Sequence, residues 1–130
     1  MGKKEVLRHI FENIVGGDRV DEAEIMRLFA EDYCQKVDGK TLDLAAFIAH
    51  MKLQKQHIHS SQTEFLALVE EGDTVFSNHI VRAVKNDGSR IAVQVIAQFV
   101  FDKDGKICLC DELTRLLQGD EADRDIGSQH

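Results

Sequence analysis

Apolar positions recur at helical spacing over residues 3–15, where Val6, Leu7, Ile10, Phe11, Ile14 and Val15 form one stripe. Gly16-Gly17 then ends the run, because glycine tolerates the left-handed conformation of a C-terminal cap. A second helix is predicted from about Asp21, with Glu24 at capping-box spacing and Ile25, Leu28 and Phe29 on its buried side. Residues 32–38, DYCQKVD, predict a short extended piece ending at Asp38-Gly39. A third helix follows from Thr41 or Asp43 to Gln54, with Leu44, Phe47, Ile48 and Met51 inward.

From His57 onward the period changes to that of strands. Four extended runs, at about 57–70, 74–85, 90–101 and 107–118, are separated by Gly72-Asp73, Asn86-Asp87-Gly88 and Asp104-Gly105. Turns this tight permit only antiparallel hairpins. In the third run the odd positions Ile91, Val93, Val95, Ala97, Phe99 and Phe101 are all apolar, and the even ones are mixed. One face therefore packs on the helices. The other, carrying Gln94, Ile96, Gln98 and Val100, is apolar enough to want partial cover, and a second copy of the chain is the expected cover.

Composition narrows the function classes. At 130 residues the chain is expected to be a single domain, residues 1–130, with no proline or low-complexity linker to divide it. Its polar end, residues 119–130, has no periodicity, and its composition favours mobility. A net charge of −7 argues against nucleic acid as a partner, and the basic group Lys52, Lys55, His57 and His59 reads as a solvated helix end. No run reaches the length of a membrane span, and the charged N-terminus MGKKEVLRHIFENI lacks the pattern of a signal peptide. Val6 stands where a myristoylation signal needs Ser or Thr. Three cysteines, an odd number, suggest free thiols and a cytoplasmic location.

Several strings, in order, carry a resemblance: GGDRVDEAEIMRLFAEDY after the first helix, EEGDTV and FDKDGKI at hairpins, and the ending DELTRLLQGDEADRDIGS. The chain resembles the nuclear transport factor 2-like superfamily, which includes ketosteroid isomerases and SnoaL-like polyketide cyclases. The resemblance implies an α+β fold, a cystatin-like cone. Three helices pack on a curved antiparallel four-stranded sheet plus a short strand, leaving a pocket between them, and many members dimerise through the outer sheet face. The positions that carry isomerase chemistry fall here at Ile10, at Val37 with Asp38 beside it, and at Ala97. Ile10 and Ala97 cannot donate to a developing oxyanion, so steroid isomerisation is not expected, although Asp38 remains a candidate base.

Matching the last strand to that superfamily turns Cys108, Cys110, Glu112 and Thr114 toward the pocket and Asp111 and Arg115 away. Apolarity alone selects the opposite set, Ile107, Leu109, Leu113 and Leu117. A carboxylate in an apolar cone has its pKa raised by desolvation and can act as a general acid or base; a structural carboxylate bonded to a neighbouring strand is the plainer alternative. His79, alternating with Ser77 and Val81, is placed to meet Glu112 across the cone, or else to be a core histidine satisfied by one hydrogen bond. Ile10, Phe47, Met51, Val95, Ala97, Phe99, Cys110 and Thr114 are the expected lining.

The other clusters have plain readings. His57-x-His59 has metal-ligand spacing, with His50 a further donor, but solvent exposure is the expectation and no metal is predicted. Cys108 and Cys110 read as small buried hydrophobes, with Cys34 too distant to complete a site. Asp102-Lys103-Asp104-Gly105 is a hairpin turn whose flanking strands do not suit a calcium loop. Asp111 and Arg115 suggest an interface ion pair. The expected function is binding of a small apolar organic molecule. Cofactor-free acid–base turnover of isomerase, cyclase or dehydratase type is its catalytic extension, with Glu112, His79 and Asp38 as the catalytic candidates. The alternative is a non-enzymatic, dimeric interaction module.

Overall fold

The apolar stripe at the N-terminus forms α1 (Lys3–Ile10), which widens into one π-helical turn over Phe11–Val15. The computed structural model describes residues 2–120, so most of the polar end anticipated at 119–130 lies outside the described residues. All six stripe residues are buried. The turn closes with a hydrogen bond from Gly16 N to Phe11 O of 2.9 Å, the i→i+5 spacing of a π turn. Gly16 is needed for closeness, not for handedness. Its φ is −82°, an ordinary right-handed value, but a Cβ there would sit 2.8 Å from Glu12 O. Lys55 then donates to Val15 O at 3.1 Å and also to Gly17 O, satisfying carbonyls the turn leaves open.

The Asp21 side chain accepts from Glu24 N at 3.1 Å and starts α2 (Glu22–Leu28). The Glu24 carboxylate does not complete the capping box but binds Arg27 and His9 instead. The chain leaves α2 directly into β1 (Phe29–Val37), longer than the short piece expected, and Phe29 is buried as its first residue. Asp38 and Gly39, with φ of 48° and 87°, then make a tight turn of the I′ kind into a second strand, β2 (Lys40–Asp43). β2 is absent from the sequence reading, which placed a helix start across it. Asp43 caps α3 (Leu44–Lys55) by accepting from Ala46 N at 2.9 Å.

The meander comprises β3 (Ile58–Glu71), β4 (Thr74–Lys85), β5 (Arg90–Phe101) and β6 (Ile107–Gln118), each within a residue of its predicted start and end. The strand order is β2-β1-β6-β5-β4-β3, and β1 pairs with β6 in parallel. The sheet is thus mixed and six-stranded, a correction to the expected antiparallel four-stranded sheet plus a short strand. Period-2 alternation identifies strands but not which distant strand one pairs with. No helix among the described residues is long and apolar enough to cross a membrane.

One irregularity decides the site. Phe101 pairs with Ile107, but Val100 pairs with Leu109, so Cys108 is an extra residue at a bulge. The phase of β6 shifts there. Ile107 faces the helices, and beyond the bulge Cys110 and Glu112 face the same way. The superfamily match and the apolar count conflicted because each holds on one side of this bulge. Cys108 itself is only half-buried and bonds to Val100 O at 3.4 Å instead of facing the pocket.

Candidate active site

Glu112 lies between the helices and the inner face of β6, in line with Ala97 on β5 and Val37 on β1. It is 4% exposed. Parallel pairing of β1 brings Tyr33 and Gln35, alternate residues on one strand face, alongside Cys110 and Glu112. Gln35 Nε2 donates to Glu112 Oε1 at 3.1 Å, and Tyr33 OH donates to Gln35 Oε1 at 2.9 Å. Burial pushes the Glu112 pKa well above the usual carboxylate range. The charges of Asp38 and Asp111 push it the same way, and the Gln35 donor opposes them. Burial likewise raises the Tyr33 hydroxyl and the Cys110 thiol. A protonated carboxyl is the form this environment favours, and a protonated carboxyl is a general acid.

The space beside Glu112 is walled by Tyr33 and Gln35 and by the apolar side chains of Ile10, Phe11, Phe47 and Phe99. Its volume is about 30 Å³, room for water but not for an organic molecule. Ile10, Phe47, Phe99 and Cys110 stand at the cavity wall. Val95 and Ala97 are buried on the same sheet face but do not reach it. Met51 is buried on α3 and lines a separate groove with Gly16 and Lys55.

Thr114 is turned elsewhere. Its N–H donates to Asp38 Oδ1 at 2.9 Å, and its hydroxyl donates to Asp38 Oδ2. Asp38 N in turn donates to Glu112 O at 3.0 Å. Asp38 is thus a clamp between the end of β1 and β6. Both of its carboxylate oxygens are engaged, so the structure does not present it as a base to the cavity.

His79 is fully buried on β4. Its Nδ1 lies 2.7 Å from Ser77 Oγ, and its ring packs on Phe11 at 4.7 Å and Phe65 at 5.4 Å between centroids. Burial lowers its pKa from 6.5 to about 4, so the ring is neutral at pH 7. The pairing rows explain why it does not meet Glu112. Ser77, not His79, lies in the row that runs through Ala97 to Glu112, and two strand spacings are about 10 Å. The expected imidazole–carboxylate pair is not formed.

On the outer face Gln94 accepts from Arg115 at 2.8 Å and donates to Asn78 at 2.8 Å, so Arg115 pairs with an amide and not with Asp111. Ile96 is exposed, and Gln98 and Val100 are half-buried. His57 and His59 are exposed. Among the described residues no group of three or more His, Cys, Asp or Glu side chains is placed to hold a metal ion. Tyr33 and Gln35 are the site residues the sequence reading passed over. Their alternation with Val37 placed them on one face, but only the parallel pairing of β1 with β6 connects that face to Glu112.

A family model for the SnoaL-like domain matches residues 7–110. An uncharacterised protein of Schizosaccharomyces pombe is 37% identical over 123 residues, which is 94% of this chain and 92% of that protein. Among solved structures, an NTF2-like protein of unknown function from Exiguobacterium sp. 255-15 aligns with a TM-score of 0.71 at 19% identity, covering 85% of this chain and 98% of the other. The epoxide hydrolase/cyclase-like enzyme SalBIII, of pyran ring formation in the polyether salinomycin, aligns with a TM-score of 0.72 at 17% identity, covering 87% and 90%. These structural likenesses show a shared fold. The family match shows more: the chain belongs to the SnoaL-like domain family.

Proposed function

We propose that this protein binds a small, mainly apolar organic molecule against Glu112 and uses that residue as a general acid, without a cofactor, in an isomerase-, cyclase- or dehydratase-type proton transfer. The observation that carries this reading is a buried carboxyl, favoured in its protonated form, with one hydrogen bond from Gln35 and an apolar cavity on its open side. A general acid works best when its pKa lies near the operating pH, which desolvation of a carboxyl achieves. The Tyr33–Gln35 chain fixes the orientation of the acid without supplying a charge that would ionise it. Similarity to an epoxide hydrolase/cyclase-like enzyme supports ring opening or closure on an oxygen as the first chemistry to test.

Glu112→Gln keeps the shape and the Gln35 hydrogen bond but cannot give up a proton. In a panel of small epoxides and unsaturated ketones, turnover falls by at least about 100-fold in this variant, the scale of a lost general acid. Unchanged turnover in Glu112→Gln would remove Glu112 from the chemistry.

A second reading is favoured by the outer sheet face, where Ile96 (47% exposed) lies directly across from Leu113 (66% exposed), beside Phe76 (51% exposed) on the next strand. We infer that this face carries a second copy of the chain, in which case the protein serves, or also serves, as a dimeric interaction module. Ile96→Glu places a charge at the centre of the patch. In sedimentation equilibrium the wild type runs as a dimer and Ile96→Glu as a monomer; a wild-type monomer at tens of micromolar would sink the interface.

A further inference from the structure

The cavity at Glu112 is too small, as it stands, for any organic substrate. Its free volume is about 30 Å³, whereas binding pockets for such molecules run to roughly 300–1,000 Å³. A cleft of about 410 Å³ lies on the other side of a single side chain. It runs between α1 with its π turn and β3, and is lined by Arg8, Glu12, Gln62, Thr63 and Phe65. Phe11 belongs to both walls, those of the cleft and those of the cavity.

Beneath the same ring lies an unusual group. The Nε2 of His79 is a buried side-chain atom that has no hydrogen-bond partner among the described residues. A buried polar group without a partner is destabilising, so its persistence wants an explanation. The two rings packed on His79 are Phe11 and Phe65, and both line the cleft. Phe11 opens the π-helical turn, a widened geometry that recurs at functional sites, whereas the far end of that turn is pinned by Lys55.

We propose that the cleft is the outer half of the ligand site, that Phe11 is the gate between it and the Glu112 cavity, and that the free Nε2 of His79 is the hydrogen-bonding group a ligand meets when the gate turns. The ligand class follows from the three stations. It has an apolar end for the cavity, one oxygen or nitrogen part-way along for His79, and a polar end that reaches Arg8 and Glu12. His79 then needs no contact with Glu112, because each serves a different part of one elongated molecule. This inference rests on the reading of Glu112 as the inner ligand contact, but its test does not require turnover.

Diethyl pyrocarbonate acylates neutral, accessible imidazole nitrogens, and peptide mass mapping reads the rate at each histidine at pH 7. In the wild type His79 reacts slowly against the exposed His57 and His59 as internal references. In Phe11→Ala it reacts about ten-fold faster or more, as expected when a covered site becomes open in the native state. Ile25→Ala, which truncates a buried side chain on α2 that lines neither the cleft nor the cavity, controls for general loosening and leaves the His79 rate near that of the wild type. In Phe11→Ala, the aromatic anion 1-anilinonaphthalene-8-sulfonate restores protection of His79 by lying in the opened cleft. Equal acceleration in both alanine variants, or no protection by the anion, overturns the gate. A failed gate with lost turnover in Glu112→Gln leaves the proposed chemistry standing, and the converse pair of results separates them the other way.

Discussion

Between pH 6.5 and pH 4 the folded protein loses about 3 kcal/mol of stability through His79, on a scale of about 1.4 kcal/mol per pH unit. The unfolded chain takes a proton on this imidazole near 6.5, but the folded protein refuses it down to about 4. Within that window the unfolded state binds more protons, so stability rises with pH and is complete above 6.5. Glu112 acts with the opposite sign. Its unfolded carboxyl ionises near 4.5 while its folded one, raised by burial, keeps the proton, so its contribution is full below 4.5 and is lost as pH rises through the folded pKa. Glu24, held at about 2 by Arg27 and His9, supports the fold above 4.5 and loses that support in stronger acid.

Urea unfolding of wild type and Glu112→Gln from pH 4 to pH 8 separates the two buried groups. The curves coincide near pH 4 and diverge above pH 5, with the glutamine variant the more stable, since it cannot ionise in the unfolded chain. Parallel curves over the whole range would mean that Glu112 is ionised in the folded protein, and the general-acid role would fall with it.

The legible and illegible parts of the molecule divide by the range of the interactions that set them. Each strand of the meander is recorded locally, by period-2 alternation and a turn signal at each end, and all four were readable to within a residue. The parallel pairing of β1 with β6 joins residues some 75 positions apart, as in Gln35 with Cys110 and Val37 with Glu112. Nothing in either strand alone announces it, and so Tyr33 and Gln35 were missed. The bulge at Cys108 has the same character, because ICLCDELT alternates well enough in either phase. The π turn hides inside an apolar stripe that an ordinary helix would satisfy equally. The alternation of Ser77, His79 and Val81 puts His79 on the inner sheet face, but the one-row offset across β5 that separates it from Glu112 is written in neither strand.

The cavity is the feature on which the functional reading depends, and Phe47→Ala tests whether it lies where the structure puts it. Phe47 is 3% exposed on α3 and packs on Phe29 at 5.2 Å and Tyr33 at 5.4 Å between centroids. Truncating a buried phenylalanine costs about 3–5 kcal/mol, part lost transfer energy and part the void left behind. Here the void opens into space that already exists beside Glu112, so the helix has little reason to collapse and the cost falls at the upper end. The enlarged chamber keeps Ile10, Phe11, Phe29 and Phe99 on its walls beside Tyr33, Gln35 and Glu112, and a mainly apolar void accepts benzene-sized guests. Saturating benzene therefore raises the thermal midpoint of Phe47→Ala well above the shift seen in the wild type, with about 2.7 kcal/mol recovered at a hundred times the dissociation constant. A loss under about 1 kcal/mol, with no response to benzene, would mean that α3 settles onto the sheet. The acid at Glu112 would then have no chamber to serve.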